Sequence, residues 1–363
     1  MQTTQSKDNT KTGTSVTGHN RNSRAQFILS LTRSCTQNCS FCAVDALYSS
    51  SIEGCRDRAN TEQLAGRELT PDQWCSVIDK ILARHPTAEF DLSGGDCLAL
   101  PWVYRQLIPY ILKRVQTRKQ LSVTATAKSL QAWMEDSREI NRDERPGSIH
   151  ITFDGCRQYS FDNIQIASKV YGLGMDLHIE CPLTEENCKI NKIHEIYYAA
   201  KAARVSEILL MRFFPVGRGA SEYGAIDLDP TAAMYRFAIT EFFKLSKQNS
   251  DGPDIKVQCA LKKFADIATT AAACKMGDAT WCVMPNGVLL ICPWAYGLSG
   301  HPLDKAFVAG NILKNSYEHC RTKAHLLRSG LHNKYPRECR VQGFVNARNR
   351  EQNTAAIQGG GRI

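Results

Sequence analysis

Between Phe27 and Phe213 short apolar runs alternate with helix-patterned stretches, and that rhythm leaves few folds open. Phe27–Leu31, Glu89–Leu92, Leu121–Thr126, Ile149–Phe153, Leu177–Cys181 and Ile208–Phe213 read as six strands. Helices are predicted between them. Thr70-Pro71 supplies a capping hydroxyl and a proline for a first turn, and Trp74, Val77, Ile78, Ile81 and Leu82 then form a helical apolar stripe. Trp102–Val115, with a kink at Pro109, Ser160–Leu173 and Lys192–Ala203 read likewise. Such alternation implies a parallel sheet with right-handed crossovers. Six units give an α/β fold, a partial (β/α)6 TIM-like barrel, whose function sits on loops after the carboxyl ends of the strands.

Two such loops carry the chemistry. The first holds Cys35, Cys39 and Cys42 in a C-x3-C-x2-C spacing, with Phe41 just before the last cysteine. The second holds Gly94-Gly95-Asp96. Both fall at the same mouth of the barrel. Three thiolates can hold three corners of a four-iron cluster, since cysteine sulfur is the usual ligand of such iron. The fourth iron is then open to a small molecule bearing an amine and a carboxylate, such as S-adenosylmethionine. Zinc is the other reading, but it asks for a fourth nearby ligand, and none is adjacent.

The cysteine spacing resembles that of the radical S-adenosylmethionine superfamily. Gly94-Gly95-Asp96 resembles its Gly-Gly-Glu motif, with Asp in place of Glu, and glycine lets backbone approach a ligand closely. His150-Ile151-Thr152-Phe153-Asp154-Gly155 looks like the Ile-Ser-Leu-Asp-Gly strand of members with SPASM or Twitch extensions. Leu121–Thr126 occupies their third-strand place without its usual Asn-Gly, and Leu210–Gly219 resembles their sixth strand and exit. The resemblance implies that Cys35, Cys39 and Cys42 hold a [4Fe-4S] cluster. It implies that Phe41, Gly94, Gly95, Asp96, Thr126, Thr152, Asp154 and Arg212 form the S-adenosyl-L-methionine site. It further implies reductive cleavage of that cofactor to a 5′-deoxyadenosyl radical, which removes hydrogen from a substrate carbon.

Downstream, Cys274, Gly287 and Cys292 fit C-x12-G-x4-C, the opening of a SPASM/Twitch domain, with Cys282 between them. Apolar runs flank Asn286-Gly287, a strong hairpin signal. A two-residue turn there sets Cys282 opposite Ile291. The resemblance implies a second, auxiliary [4Fe-4S] cluster on Cys274, Cys282, Cys292 and either Cys339, in a Pro-x-x-Cys, or Cys320. The other cysteines read as small apolar residues.

The predicted organisation is a disordered polar tail at 1–25, the barrel at 26–218, the small auxiliary-cluster domain with its hairpin at 219–345, and a flexible tail at 346–363. A long helix is expected at about Pro230–Lys247. Of the net charge of +9, the two tails carry a surplus of five, and the remaining +4 marks no nucleic-acid face. No run of about 18 apolar residues predicts a membrane span, and no secretory signal stands at the start. Fifteen cysteines without such a signal read as metal ligands and reduced thiols of a cytoplasmic protein. The resemblance implies a flavodoxin- or ferredoxin-type electron donor. It favours a ribosomally made precursor peptide as substrate, with crosslink, thioether or epimerisation as outcome. An amino sugar, aminocyclitol or nucleotide is the rival, and a non-catalytic iron–sulfur carrier is the reading outside enzymes.

Overall fold

The computed structural model describes residues 24–136, 141–220, 229–265, 274–336 and 338–359. The expected N-terminal tail lies outside these except for its last two residues. Among the described residues twelve strands are present: β1 Gln26–Thr32, β2 Ser34–Cys35, β3 Leu47–Tyr48, β4 Glu89–Gly94, β5 Leu121–Ala125, β6 Ser148–Thr152, β7 Asp176–Leu183, β8 Glu207–Arg212, β9 Asp254–Val257, β10 Thr280–Val283, β11 Val288–Leu290 and β12 Val308–Asn311. The helices are α1 Ile52–Leu64, α2 Pro71–Leu82, α3 Ile108–Leu112, α4 Ala127–Asp136, α5 Gln158–Ala167, α6 Ile190–Ala202, α7 Ala232–Gln248, α8 Tyr317–Lys334 and α9 Arg340–Gly359. None among the described residues is long and apolar enough to cross a membrane.

One large sheet runs β12-β11-β10-β1-β4-β5-β6-β7-β8-β9. It is parallel from β10 to β9, and only β11 and β12 run antiparallel. The period of two fixes what each face carries. Leu121, Val123, Ile149, Ile151, Leu177 and Ile179 are essentially inaccessible, and each contributes about 1.5–3 kcal/mol by burial. Between them, Ser122, Thr124, His150, Thr152, His178 and Glu180 form a polar row.

α2 shows how locally the sequence specifies its elements. Thr70 caps it in a reciprocal box with Gln73, Pro71 opens the first turn, and Trp74, Val77, Ile78 and Ile81 are buried. The helix expected over Trp102–Val115 is instead broken. A π-helical turn at Val103–Leu107 precedes α3, and Pro109 falls in the first turn of the new segment, where its missing N–H costs nothing.

The C-terminal region extends the barrel sheet. β10 pairs in parallel with β1, in register Ile28↔Cys282, so the hairpin is a direct continuation of it. The last residues, expected to be flexible, lie in α9 as far as Gly359.

Candidate functional site

The cysteine loop is tied down at both ends. β2 pairs with β3, closing residues 36–46 into a loop. At its entry, the Glu68 carboxylate accepts from the Arg33 amide at 2.7 Å and the Thr32 hydroxyl at 3.1 Å. At its exit, the Arg218 guanidinium donates to the Cys39 carbonyl at 2.9 Å, to Asn38 at 3.1 Å and to the Ala46 carbonyl, and it pairs with Asp45 at 3.2 Å. Gly217 takes φ +54°, and a Cβ there would lie 2.3 Å from the Ala43 carbonyl. The exit of β8 therefore clamps the loop.

Gly94-Gly95 is required by close packing. The Gly95 and Asp96 amides donate to the carbonyls of Thr32 and Ser34 at 2.7 and 2.8 Å. Gly94 takes φ +112°, and a Cβ on Gly95 would stand 2.1 Å from the Ser34 carbonyl oxygen. The fully buried Asp96 accepts from Thr36 at 2.5 Å, Thr126 at 2.8 Å and Ser129. This fastens the cysteine loop to β5.

Above the strand ends lies a cavity. Cys35, Cys39, Cys42, Phe41, Gly94, Gly95, Thr126, Thr152 and Arg212 all line it. Two expected site residues do not. The Asp96 carboxylate is saturated by its three hydroxyls. That of Asp154 accepts from the Cys156 and Arg157 amides at 3.1 and 3.2 Å and pairs with the Arg157 guanidinium. Both are positioning groups. Arg157, which the sequence reading missed, lines the cavity and lies over the Phe41 ring at 4.2 Å. Its nearness to the His150–Gly155 strand was the available signal.

The donor set suits a bound cation. Burial raises the Cys35 thiol well above its ordinary pKa, and nearby Asp96, Cys39 and Cys42 add to that. Burial, then Cys39, raises Cys42. Three thiols whose charges act on one another in a buried loop are stabilised as thiolates by a positive centre. Amides of Gln37 and Ala46 already point at Cys35 and Cys42 sulfur, both at 3.4 Å.

A second group of thiols is present among the described residues, and it is not composed as expected. Cys259, Cys274, Cys292 and Cys339 lie close enough for their charges to act on one another. Protein packed around its sulfur, then Cys339 and Cys274, pushes the Cys259 thiol up to about 12, although the residue as a whole is exposed. Cys282 is elsewhere. Its sulfur is 3.4 Å from the Tyr296 hydroxyl and lines the central cavity. Its pairing with β1 explains this, since Cys282 is in register with Ile28, which lines the same cavity. The hairpin differs from the expected one as well. Met284 donates to Val288 at 2.8 Å, and Cys282 faces Leu290, one residue short of the expected partner. The turn is Pro285-Asn286-Gly287, with Gly287 left-handed at φ +79°. Cys320 is wholly buried under Gly310 and away from the group.

No protein-family profile matches the sequence, and neither does any curated protein. Solved structures do match, 46 chains in all. SuiB of Streptococcus suis bound to the precursor peptide SuiA is similar with a TM-score of 0.61 at 11% identity, over 85% of this chain and 66% of that one. SuiB bound to S-adenosylmethionine gives 0.54 at 12%, over 74% and 60%. Native anSMEcpe with bound AdoMet and Cp18Cys peptide gives 0.52 at 11%, over 84% and 82%. This chain shares their fold. It is an α/β partial barrel with a mostly parallel sheet, and it spans about two thirds or less of the length of SuiB.

Proposed function

We propose that this protein is a radical S-adenosylmethionine enzyme that modifies a peptide. The observation that carries this reading is the convergence of Cys35, Cys39 and Cys42 with Gly94, Gly95 and Thr152 on one cavity at the carboxyl ends of a parallel sheet. Cys35, Cys39 and Cys42 would hold a [4Fe-4S] cluster, and the cavity would hold S-adenosylmethionine. When bound, that pair supplies a carbon radical able to take hydrogen from an unactivated C–H bond. The protein's part is positional. Arg218 and Glu68 hold the cysteine loop, Asp96 fixes it to β5, and Phe41 and Arg157 form one wall.

Cys259, Cys274, Cys292 and Cys339 would hold an auxiliary cluster. The same reading calls for a flavodoxin- or ferredoxin-type electron donor and a reducing, cytoplasmic setting. Two similar structures carry peptides, which supports a peptide substrate here. The cavity wall supports it too. Its basic residues are Arg157 and Arg212, set against the carboxylates Asp91 and Glu180, whereas a phosphate-rich metabolite calls for several fixed basic forks.

The test is anaerobic reconstitution. About eight irons per chain are expected, and about four in the Cys35→Ala/Cys39→Ala/Cys42→Ala variant. Dithionite and S-adenosylmethionine should yield 5′-deoxyadenosine from the parent and none from that variant. Zinc in place of iron, or a loaded protein that makes no 5′-deoxyadenosine, overturns the proposal.

A further inference from the structure

Barrel interiors are ordinarily filled by branched apolar side chains. This one is not. The alternation of β4 to β7 turns Asp91, Ser122, Thr124, His150, His178 and Glu180 into one polar row. Ligand atoms of Asp91, His150 and Glu180 all lie within 4.8 Å of one another. His150 is engaged on both ring nitrogens, with Nδ1 3.6 Å from Glu180 and Nε2 3.2 Å from His178. Asp91 accepts from Ser122 at 3.2 Å and Thr124 at 3.4 Å.

Two carboxyl groups, Asp91 and Glu180, share one histidine. Burial opposes a charge on His150, yet Glu180 and Asp91 raise its pKa, and Glu207 adds to that. Burial, then His150, drops His178 to about 4. Burial likewise raises the Asp91 carboxyl to about 6, against His150. The acidic pair is therefore short of a cationic partner.

Geometry says where it would come from. Asp91 and Glu180 line the same cavity as the three cysteines. They sit within their strands, whereas Arg212 ends β8 and Arg157 follows β6, so the cavity is basic toward its mouth and acidic toward its floor. Its apolar walls include Ile28, Pro182 and Met211. Ser30, only 2% exposed, also lines it, with its hydroxyl beside that of Tyr296.

We propose that the cavity floor receives the cationic end of a substrate side chain, an alkylammonium or alkylguanidinium group held between Asp91 and Glu180 with Ser30 beside it. The substrate is then a peptide whose reacting residue is lysine- or arginine-like, its methylenes running along the apolar walls. This rests on the cavity being the reaction chamber proposed above.

The probes are n-butylammonium and n-butylguanidinium, compared with n-butanol and butyrate by calorimetry on the anaerobically reconstituted protein. Saturable binding of the two cations, and of neither control, is expected. Asp91→Asn and Glu180→Gln should each weaken it at least about tenfold, the scale of one charge-assisted hydrogen bond. Because the wild-type comparison needs no variant, misfolding of either substitution leaves the proposal open to refutation. Absence of saturable cation binding, equal binding of n-butanol, or affinity unchanged in both variants overturns it. So does stoichiometric binding of Mn²⁺ or Zn²⁺ that both variants abolish and n-butylammonium fails to displace. A protein that makes 5′-deoxyadenosine but ignores the cations refutes only this assignment. One that binds the cations but makes no 5′-deoxyadenosine refutes only the enzymatic reading.

Discussion

Arg218 donates to the backbone carbonyl of Cys39 at 2.9 Å across 179 residues of chain, so the barrel's last exit holds its first loop. The same side chain meets Asn38, Asp45 and Ala46. Three thiols can act on one centre only if the loop bearing them has a defined shape, and no regular ladder spans residues 36–46.

Arg218→Ala should therefore loosen residues 36–46 specifically. Hydrogen bonds from a charged donor are worth about 1.5–3 kcal/mol each when buried. Limited proteolysis within this loop should accelerate about tenfold or more, with little change in far-UV circular dichroism. Iron bound per chain should fall by up to about half. Arg218→Lys should not restore the loop, because a single ammonium cannot reproduce the fork. An unchanged cleavage rate would remove the clamp from the account.

The glycine pair makes a steric prediction. Gly95→Ala places a Cβ 2.1 Å from a carbonyl oxygen of the strand it packs on. Backbone must shift, at a cost of about 1–3 kcal/mol or more. Gly172→Ala meets nothing within 4 Å and serves as the control. Thermal unfolding should show a drop of several degrees for the first and almost none for the second. Equal midpoints would mean that Gly95 is not tightly packed.

Much of this site was legible because its parts are local. A strand followed at once by a cysteine loop, and a second strand followed by Gly-Gly-Asp, are short-range patterns. Parallel pairing then brings the two loops together without further information. Other features depend on the folded sheet. The Asp96 side chain is held by Thr36, Thr126 and Ser129, partners that only the sheet supplies. The hairpin register turned on whether Pro285 belongs to the turn, and the face that Cys282 presents follows from pairing with β1, which spacing does not reveal. Cys259 carried no spacing signal, since it follows a four-residue strand, β9, that earns its place only by pairing with β8. The polar helix α1 likewise lacked an apolar stripe to announce it.

Glu68 gives the fold a pH dependence. Burial raises its carboxyl from 4.5 to about 7, against the hydrogen bonds from Arg33 and Thr32. A carboxyl whose folded pKa exceeds its unfolded value favours the fold when protonated. Its contribution is complete below about pH 4.5 and is lost as pH rises through about 7. Glu68→Gln keeps an acceptor oxygen for both donors and removes the charge. The midpoint of the variant should therefore exceed that of the parent by a few degrees at pH 8 and match it near pH 5. A parent more stable at pH 8 than the variant would show the charged form to be the one the fold prefers.

The auxiliary thiol group yields the sharpest choice between readings. The family resemblance groups Cys282 with Cys274 and Cys292, yet in the fold Cys259 lies by that group and Cys282 turns to Tyr296. In a protein already carrying Cys35→Ala, Cys39→Ala and Cys42→Ala, any remaining iron must sit on the second group. Adding Cys259→Ala or Cys339→Ala should strip that iron and its visible absorbance. Adding Cys282→Ala should leave both intact, because the lost sulfur faces the central cavity. Cys320→Ala should also retain iron while lowering thermal stability, since it opens a small void in a wholly buried site. Iron retained by Cys259→Ala and lost by Cys282→Ala would mean that Cys282, and not Cys259, completes the second group.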